Sequence, residues 1–200
     1  MKLVFAASER EWVQRWNAWF ELVEDPFTAA ADEFYLFCNR GELVLCRGHD
    51  RRGVGVAASW QMPRTKGKFA LGQAIGSPAA DWRVVDATAG LGGDMLALYS
   101  RGYRVTGYEC HPVLWAMLDS YLRVQGISDL PLHLADSLSE MRELRFAPAQ
   151  VIYLDPMFPD ERKSALPGKA MQYLRELLPA PAEDAAELVA AACRTATDRV

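Results

Sequence analysis

No stretch of this 200-residue chain stays apolar long enough to span a bilayer as a helix, which sets aside a helical membrane protein. Cysteine is sparse and scattered. Cys38, Cys46, Cys110 and Cys193 make no C-x-x-C pair, and none of the three histidines stands at metal-ligand spacing to them. A disulfide scaffold, a redox dithiol and a metal centre are thereby not expected, and the thiols read as reduced side chains of a cytoplasmic protein. Internal repeats and low-complexity tracts are lacking. Met1-Lys-Leu-Val-Phe-Ala-Ala7 runs at once into Ser8-Glu-Arg-Glu11, too short and too soon charged for a secretory signal. A net charge of −4 speaks against a surface coated for nucleic acid, although it leaves room for a local basic face.

What the chain does hold is ordinary globular material. Half of its residues are hydrophobic and 24% are charged, enough for a core in one large domain or a main domain with an appendage. Residues 1–78 read as a small α+β appendage. Trp12, Val13, Trp16, Trp19, Phe20 and Val23 recur at helical intervals behind the capping-box spacing of Ser8 and Glu11. One helix is therefore expected up to Asp25-Pro26, with its tryptophans in the core. Phe34–Cys38 and Leu43–Cys46 around Asn39-Arg-Gly41 read as a β-hairpin, with a third strand from Val54 to Trp60. Between Arg47 and Lys68, six cations (Arg47, Arg51, Arg52, Arg64, Lys66 and Lys68) stand against one acid, Asp50. Such a patch in an acidic protein is the footprint expected for a phosphate backbone.

After the boundary at Gly76-Ser-Pro78, strand and helix alternate through residues 79–200. Strands are expected at Val84–Asp86, Arg104–Glu109, Leu132–Asp136 and Val151–Asp155. Helices are expected from Asp94 to Gly102, from Pro112 to Gly126, from Asp136 to Leu144, and around Ala170–Leu178 and Glu183–Thr197. Repeated βα units imply an α/β fold with a parallel sheet and right-handed crossovers. A fifth strand should begin where the chain stops, at Asp198-Arg-Val200. Because an apolar fourth strand makes a poor open edge, the domain is expected to be truncated, its C-terminal strands missing.

The sequence is organised around Val84-Val-Asp-Ala-Thr-Ala-Gly-Leu-Gly-Gly-Asp94. This is strand, glycine loop and helix start, the place where an open α/β sheet holds its ligand. Gly90 and Gly92 let a ligand approach the main chain. A pyrophosphate would be repelled by Asp86 and Asp94, which bracket the loop and suit a cation. S-adenosylmethionine, with its sulfonium and ammonium groups, meets that requirement. The dinucleotide pattern fails besides, because Met95 occupies the position of its third small residue. Glu109 stands 17 residues past Gly92, near the spacing at which a carboxylate takes ribose hydroxyls. Asp136 and Ser137 would lie beside the adenine. Asp155-Pro-Met-Phe-Pro159 follows the fourth strand. Asp155 and the carbonyl of Pro156 can each accept an N–H of a target amine, and Phe158 offers a face for a base swung out of its stack.

Val85-Asp-Ala-Thr-Ala-Gly-Leu-Gly with Asp94, Glu109 with Pro112, and Tyr153-Leu-Asp-Pro-Met-Phe-Pro159 followed by Lys163-Ser-Ala-Leu166 resemble methyltransferase J of the bacterial small ribosomal subunit. The resemblance is close over residues 82–175 and looser before them. It implies a Rossmann-like class I methyltransferase that uses S-adenosylmethionine to methylate N2 of a guanosine in 16S rRNA. It also places Gly93, Asp94, Glu109, Cys110, Asp136, Ser137 and Asp155 at cofactor-contacting positions, and Lys163 joins the RNA-binding set. The family usually carries arginine where Gly93 and Cys110 stand and serine in place of Asp136. Its basic, glycine-rich stretch is shortened here to Lys66-Gly-Lys-Phe-Ala-Leu-Gly72, and its last strands and a Lys-Arg-Pro segment fall beyond Val200. The competing expectations are an amino-methyltransferase with another substrate and a non-catalytic RNA- or cofactor-binding protein.

Overall fold

The chain builds two separate sheets, each with its own helices, in a computed structural model that describes residues 1–51, 53–59, 70–76, 82–143, 145–146, 149–156, 168–178 and 185–200. The first unit holds the strands β1 (Lys2–Phe5), β2 (Glu21–Glu24), β3 (Phe34–Asn39), β4 (Glu42–Arg47) and β5 (Val56–Ala57) in the order β2-β1-β3-β4-β5. β1 runs parallel to β2 and β3, while β3-β4 and β4-β5 are antiparallel. The expected hairpin is present. Its turn is closed by Arg40 (φ 54°) and Gly41 (φ 89°), the left-handed pair that matches the twist of the flanking strands. The long N-terminal helix is not. Only the short helix α1 (Arg10–Val13) and single turns on either side of it form, and Val23 lies in β2. A strand pairing with β1 overrides the helical spacing of the apolar residues.

Two helices from the later sequence belong to this unit: α4 (Pro112–Val124) and α6 (Lys169–Leu177). Consequently the units are not the consecutive segments 1–78 and 79–200. The buried face of α4 packs on β4, and Ser120 Oγ accepts the Leu43 N–H at 2.9 Å. The indole N–H of buried Trp16 donates to Asp119 at 3.2 Å. α6 is fixed by Asp50, which accepts from Lys169 Nζ at 2.7 Å and from the Tyr173 hydroxyl at 2.8 Å.

The second unit holds β6 (Arg83–Asp86), β7 (Arg104–Glu109), β8 (Leu132–Leu134) and β9 (Val151–Tyr153), all parallel in the order β8-β7-β6-β9. Its helices are α2 (Ala70–Ile75), unforeseen in the sequence, α3 (Gly93–Tyr99), α5 (Ser137–Arg142) and α7 (Ala185–Thr195). α5 and α7 cover one face, where Leu138, Met141, Ala191 and Ala192 pack with Val85, Tyr108 and Ile152. α3 packs against β7. A Cβ on Gly107 would come within 2.4 Å of Met95 Sδ, so glycine on the strand supplies the closeness that a small residue on the helix supplies elsewhere. On the far side of β9, Arg199 makes a parallel bridge with Val151, and its carbonyl accepts the Ile152 N–H at 3.1 Å. No described helix is long and apolar enough to cross a membrane.

Candidate active site

At the carboxyl ends of β6, β7 and β9 the chain gathers most of the acids singled out in the sequence. β6 ends in Asp86, only 2% exposed, whose Oδ1 accepts the Thr88 N–H at 3.1 Å. The loop then turns through Gly90 (φ 55°) and Gly92 (φ 83°), left-handed angles that disfavour other residues, and Gly92 caps α3. A Cβ on Gly93 would meet nothing within 4 Å. Space therefore lies open beside the first turn of α3.

Glu109 closes β7 and is buried. It is held by the main chain on both oxygens, Oε2 accepting the Gly90 N–H at 2.8 Å and Oε1 the His111 N–H at 2.7 Å. The second strand end and the glycine loop are thus one structure. Burial raises the Glu109 carboxyl above its ordinary range despite these two donors. Burial also pushes Asp86 up, to about 7, with the carboxylates of Asp94, Glu109 and Asp155 adding to the effect. A cation beside these carboxylates would favour their ionised form.

β9 closes the other side of the loop. The Asp155 N–H donates to Thr88 Oγ1 at 2.8 Å, and the Tyr153 hydroxyl donates to Asp94 Oδ2 at 2.7 Å. Asp155 itself is exposed and Pro156 is half-buried. Thr88 and Tyr153 stand inside the two motifs, but the sequence alone assigns neither of them a role. The signal lay in register, since Tyr153 pairs with Asp86 across the parallel strands.

Two of the expected residues occupy the far end. Asp136 is the N-cap of α5, its Oδ1 accepting from Leu138 N at 3.3 Å and its Oδ2 from Ser139 N at 3.2 Å and Ser139 Oγ at 2.5 Å. Ser137 is buried in the first turn of that helix, and Cys110 is exposed just past β7. Phe158, Lys163, Arg52, Arg64, Lys66 and Lys68 lie outside the described residues. Arg51 is exposed. Arg47 is a packing residue rather than part of a basic face: its guanidinium lies 4.4 Å from the centre of the Phe34 ring and pairs with Glu176. Among the described residues no group of His, Cys, Asp and Glu is arranged to hold a metal ion.

A parallel sheet of order β8-β7-β6-β9 with a glycine loop and acids at its carboxyl edge is a Rossmann-like architecture, and relatives say of which class. Residues 54–200 match the family described as "Putative SAM-dependent methyltransferase". The crystal structure of a SAM-dependent methyltransferase from Neisseria gonorrhoeae superposes with a TM-score of 0.72 at 26% identity, over 98% of this chain and 81% of that one. The chain is a SAM-dependent methyltransferase. It is 32% identical over 199 residues to the Ribosomal RNA small subunit methyltransferase J of Alteromonas mediterranea, covering 92% of this chain and 77% of the relative. To the protein of that name from Tolumonas auensis it is 41% identical over 140 residues, covering 65% of this chain and 55% of the relative. It belongs to the ribosomal RNA small subunit methyltransferase J family.

Proposed function

We propose that the protein transfers a methyl group from S-adenosylmethionine to the exocyclic N2 amine of a guanosine in 16S rRNA, acting in the cytoplasm on the small ribosomal subunit. The observation that carries this reading is the bond from Asp155 N–H to Thr88 Oγ1 at 2.8 Å. It sets the turn suited to a planar amine directly beside the loop suited to the cofactor. The names of the relatives supply the RNA.

The residues fit the cofactor's chemistry. Strand order lines up Asp136, Glu109, Asp86 with Asp94, and Asp155 along the carboxyl edge of the sheet. Asp136 and Ser137 then serve the adenine, and Asp136 Oδ1, whose contact with the Leu138 N–H is long at 3.3 Å, can also accept from the exocyclic amine. Glu109 serves the ribose hydroxyls, flanked by Cys110. Gly90, Gly92 and Gly93 leave the main chain approachable, and Asp86 and Asp94 face the cationic methionine end. When bound, the cofactor supplies an electrophilic methyl group on a positively charged sulfur.

Asp155 accepts one N–H of the target amine and the Pro156 carbonyl the other. That pair draws the nitrogen lone pair out of the ring and towards the methyl group, while Phe158 stacks on the base. The amine sheds its proton after attack, so the step needs placement more than a strong base and passes through no covalent bond to the protein. Asp155→Ala should lower kcat by about a hundredfold or more, as misplacement of a reacting group does. The Kd for S-adenosylhomocysteine, read by calorimetry, should change far less. Equal loss of turnover and cofactor binding would contradict the role given to Asp155.

A further inference from the structure

Two side-chain hydrogen bonds cross from the end of β9 to the glycine-loop segment, and each ties a group of one substrate's subsite to the other's. Thr88 Oγ1 takes the Asp155 N–H at 2.8 Å, and the Tyr153 hydroxyl gives its proton to Asp94 Oδ2 at 2.7 Å. The first fixes main chain to loop. The second reaches a carboxylate that stands on the first turn of α3. Tyr153 lies in register with Asp86 on the adjacent strand, so its ring leaves the sheet on the same face as the Asp86 side chain.

Resting on the cofactor reading above, we propose that Tyr153 is a positioning residue of the methyl-transfer site, acting through Asp94 on the cofactor's aminocarboxylate end. A phenol that donates to a carboxylate leaves the other oxygen, and its remaining lone pairs, aimed at a cation. An ammonium group meeting Asp94 therefore meets a side chain already held in one rotamer, and the ordering cost of binding is reduced. Burial, and then Asp94 itself, raise the pKa of the Tyr153 hydroxyl, which keeps its proton on oxygen through the working range of pH. The brace runs from the strand that leads to Asp155, so it also holds the cofactor's reactive end in a fixed relation to the amine-binding turn.

Two ligands separate this role from a structural one. S-adenosylhomocysteine carries the aminocarboxylate end, whereas 5′-methylthioadenosine keeps the nucleoside and thioether and lacks it. By calorimetry on the full chain, Tyr153→Phe should bind S-adenosylhomocysteine roughly tenfold more weakly, the loss of one hydrogen bond to a charged group, and 5′-methylthioadenosine unchanged. Asp94→Asn alone should show the same selectivity, and adding Tyr153→Phe to it should cost little more. Equal weakening of both ligands, or a full further tenfold loss in the Asp94→Asn background, would overturn the proposal. If the wild-type chain binds neither ligand, the cofactor reading falls and this proposal falls with it.

Discussion

Asp86 carries the strongest electrostatic signature of the site. It is almost fully buried at the end of the central strand, and burial with its neighbouring carboxylates pushes its pKa from an ordinary 3.8 to about 7. Between those values the folded chain holds a proton that the unfolded chain has released. The stabilising contribution of this group is therefore complete below about pH 4 and declines as the pH rises to about 7. A bound sulfonium or ammonium group reverses the preference by favouring the ionised form. S-adenosylmethionine should accordingly bind more tightly at about pH 8 than at about pH 6, with release of a proton to the buffer. Calorimetry in two buffers of different ionisation enthalpy reads that proton directly. Asp86→Asn should abolish both the pH dependence and the release, whereas the same affinity at both pH values in the wild type would contradict the assignment.

Among the elements, the contact of α3 with β7 turns on Gly107. A Cβ there would sit 2.4 Å from Met95 Sδ and 2.9 Å from its Cε, and Met95 is fully buried. Gly107→Ala should destabilise the protein by about 1–3 kcal/mol through overpacking, measured from the midpoint of urea unfolding. Met95→Ala in the same background should return part of that loss. A neutral Gly107→Ala would show that the helix can move away. The βα succession of the second unit was legible because glycine, proline and β-branched residues punctuate each segment, and Val84, Val105 and Ile152 could only be strands. The loop, Asp86, Glu109 and Asp155 were legible for the same reason: they stand at strand ends. What was misread has a physical cause in each case. Trp12, Trp16 and Trp19 carry a helical spacing that continues to Val23, yet pairing of Leu22 and Val23 with Leu3 and Val4 makes that last stretch a strand. α4 is amphipathic, and an apolar face announces burial without naming the sheet it covers. Asp136 caps α5, a local role that the sequence does not separate from the proposed contact with adenine.

At the scale of the whole molecule, an acidic chain must meet an anionic polymer with local charge. Arg47 is committed to Phe34, Tyr173 and Glu176, so it adds nothing to a basic face. We propose that recognition of RNA falls to Arg51, Arg52, Arg64, Lys66, Lys68 and Lys163. Charge reversal at Arg51, Arg52, Arg64 and Lys66 should weaken binding to small-subunit RNA and flatten its salt dependence, since each phosphate contact releases a counterion. An unchanged salt slope would return those residues to the solvent. Cofactor affinity should survive the same reversal.

The most direct measurement is transfer of a tritiated methyl group from S-adenosylmethionine to small ribosomal subunits lacking this modification, followed by nuclease digestion to nucleosides. The account predicts that the label is found in 16S rRNA as N2-methylguanosine, and that Asp155→Ala removes it. Label on another nucleoside, or no transfer by a chain that binds S-adenosylhomocysteine, would contradict it.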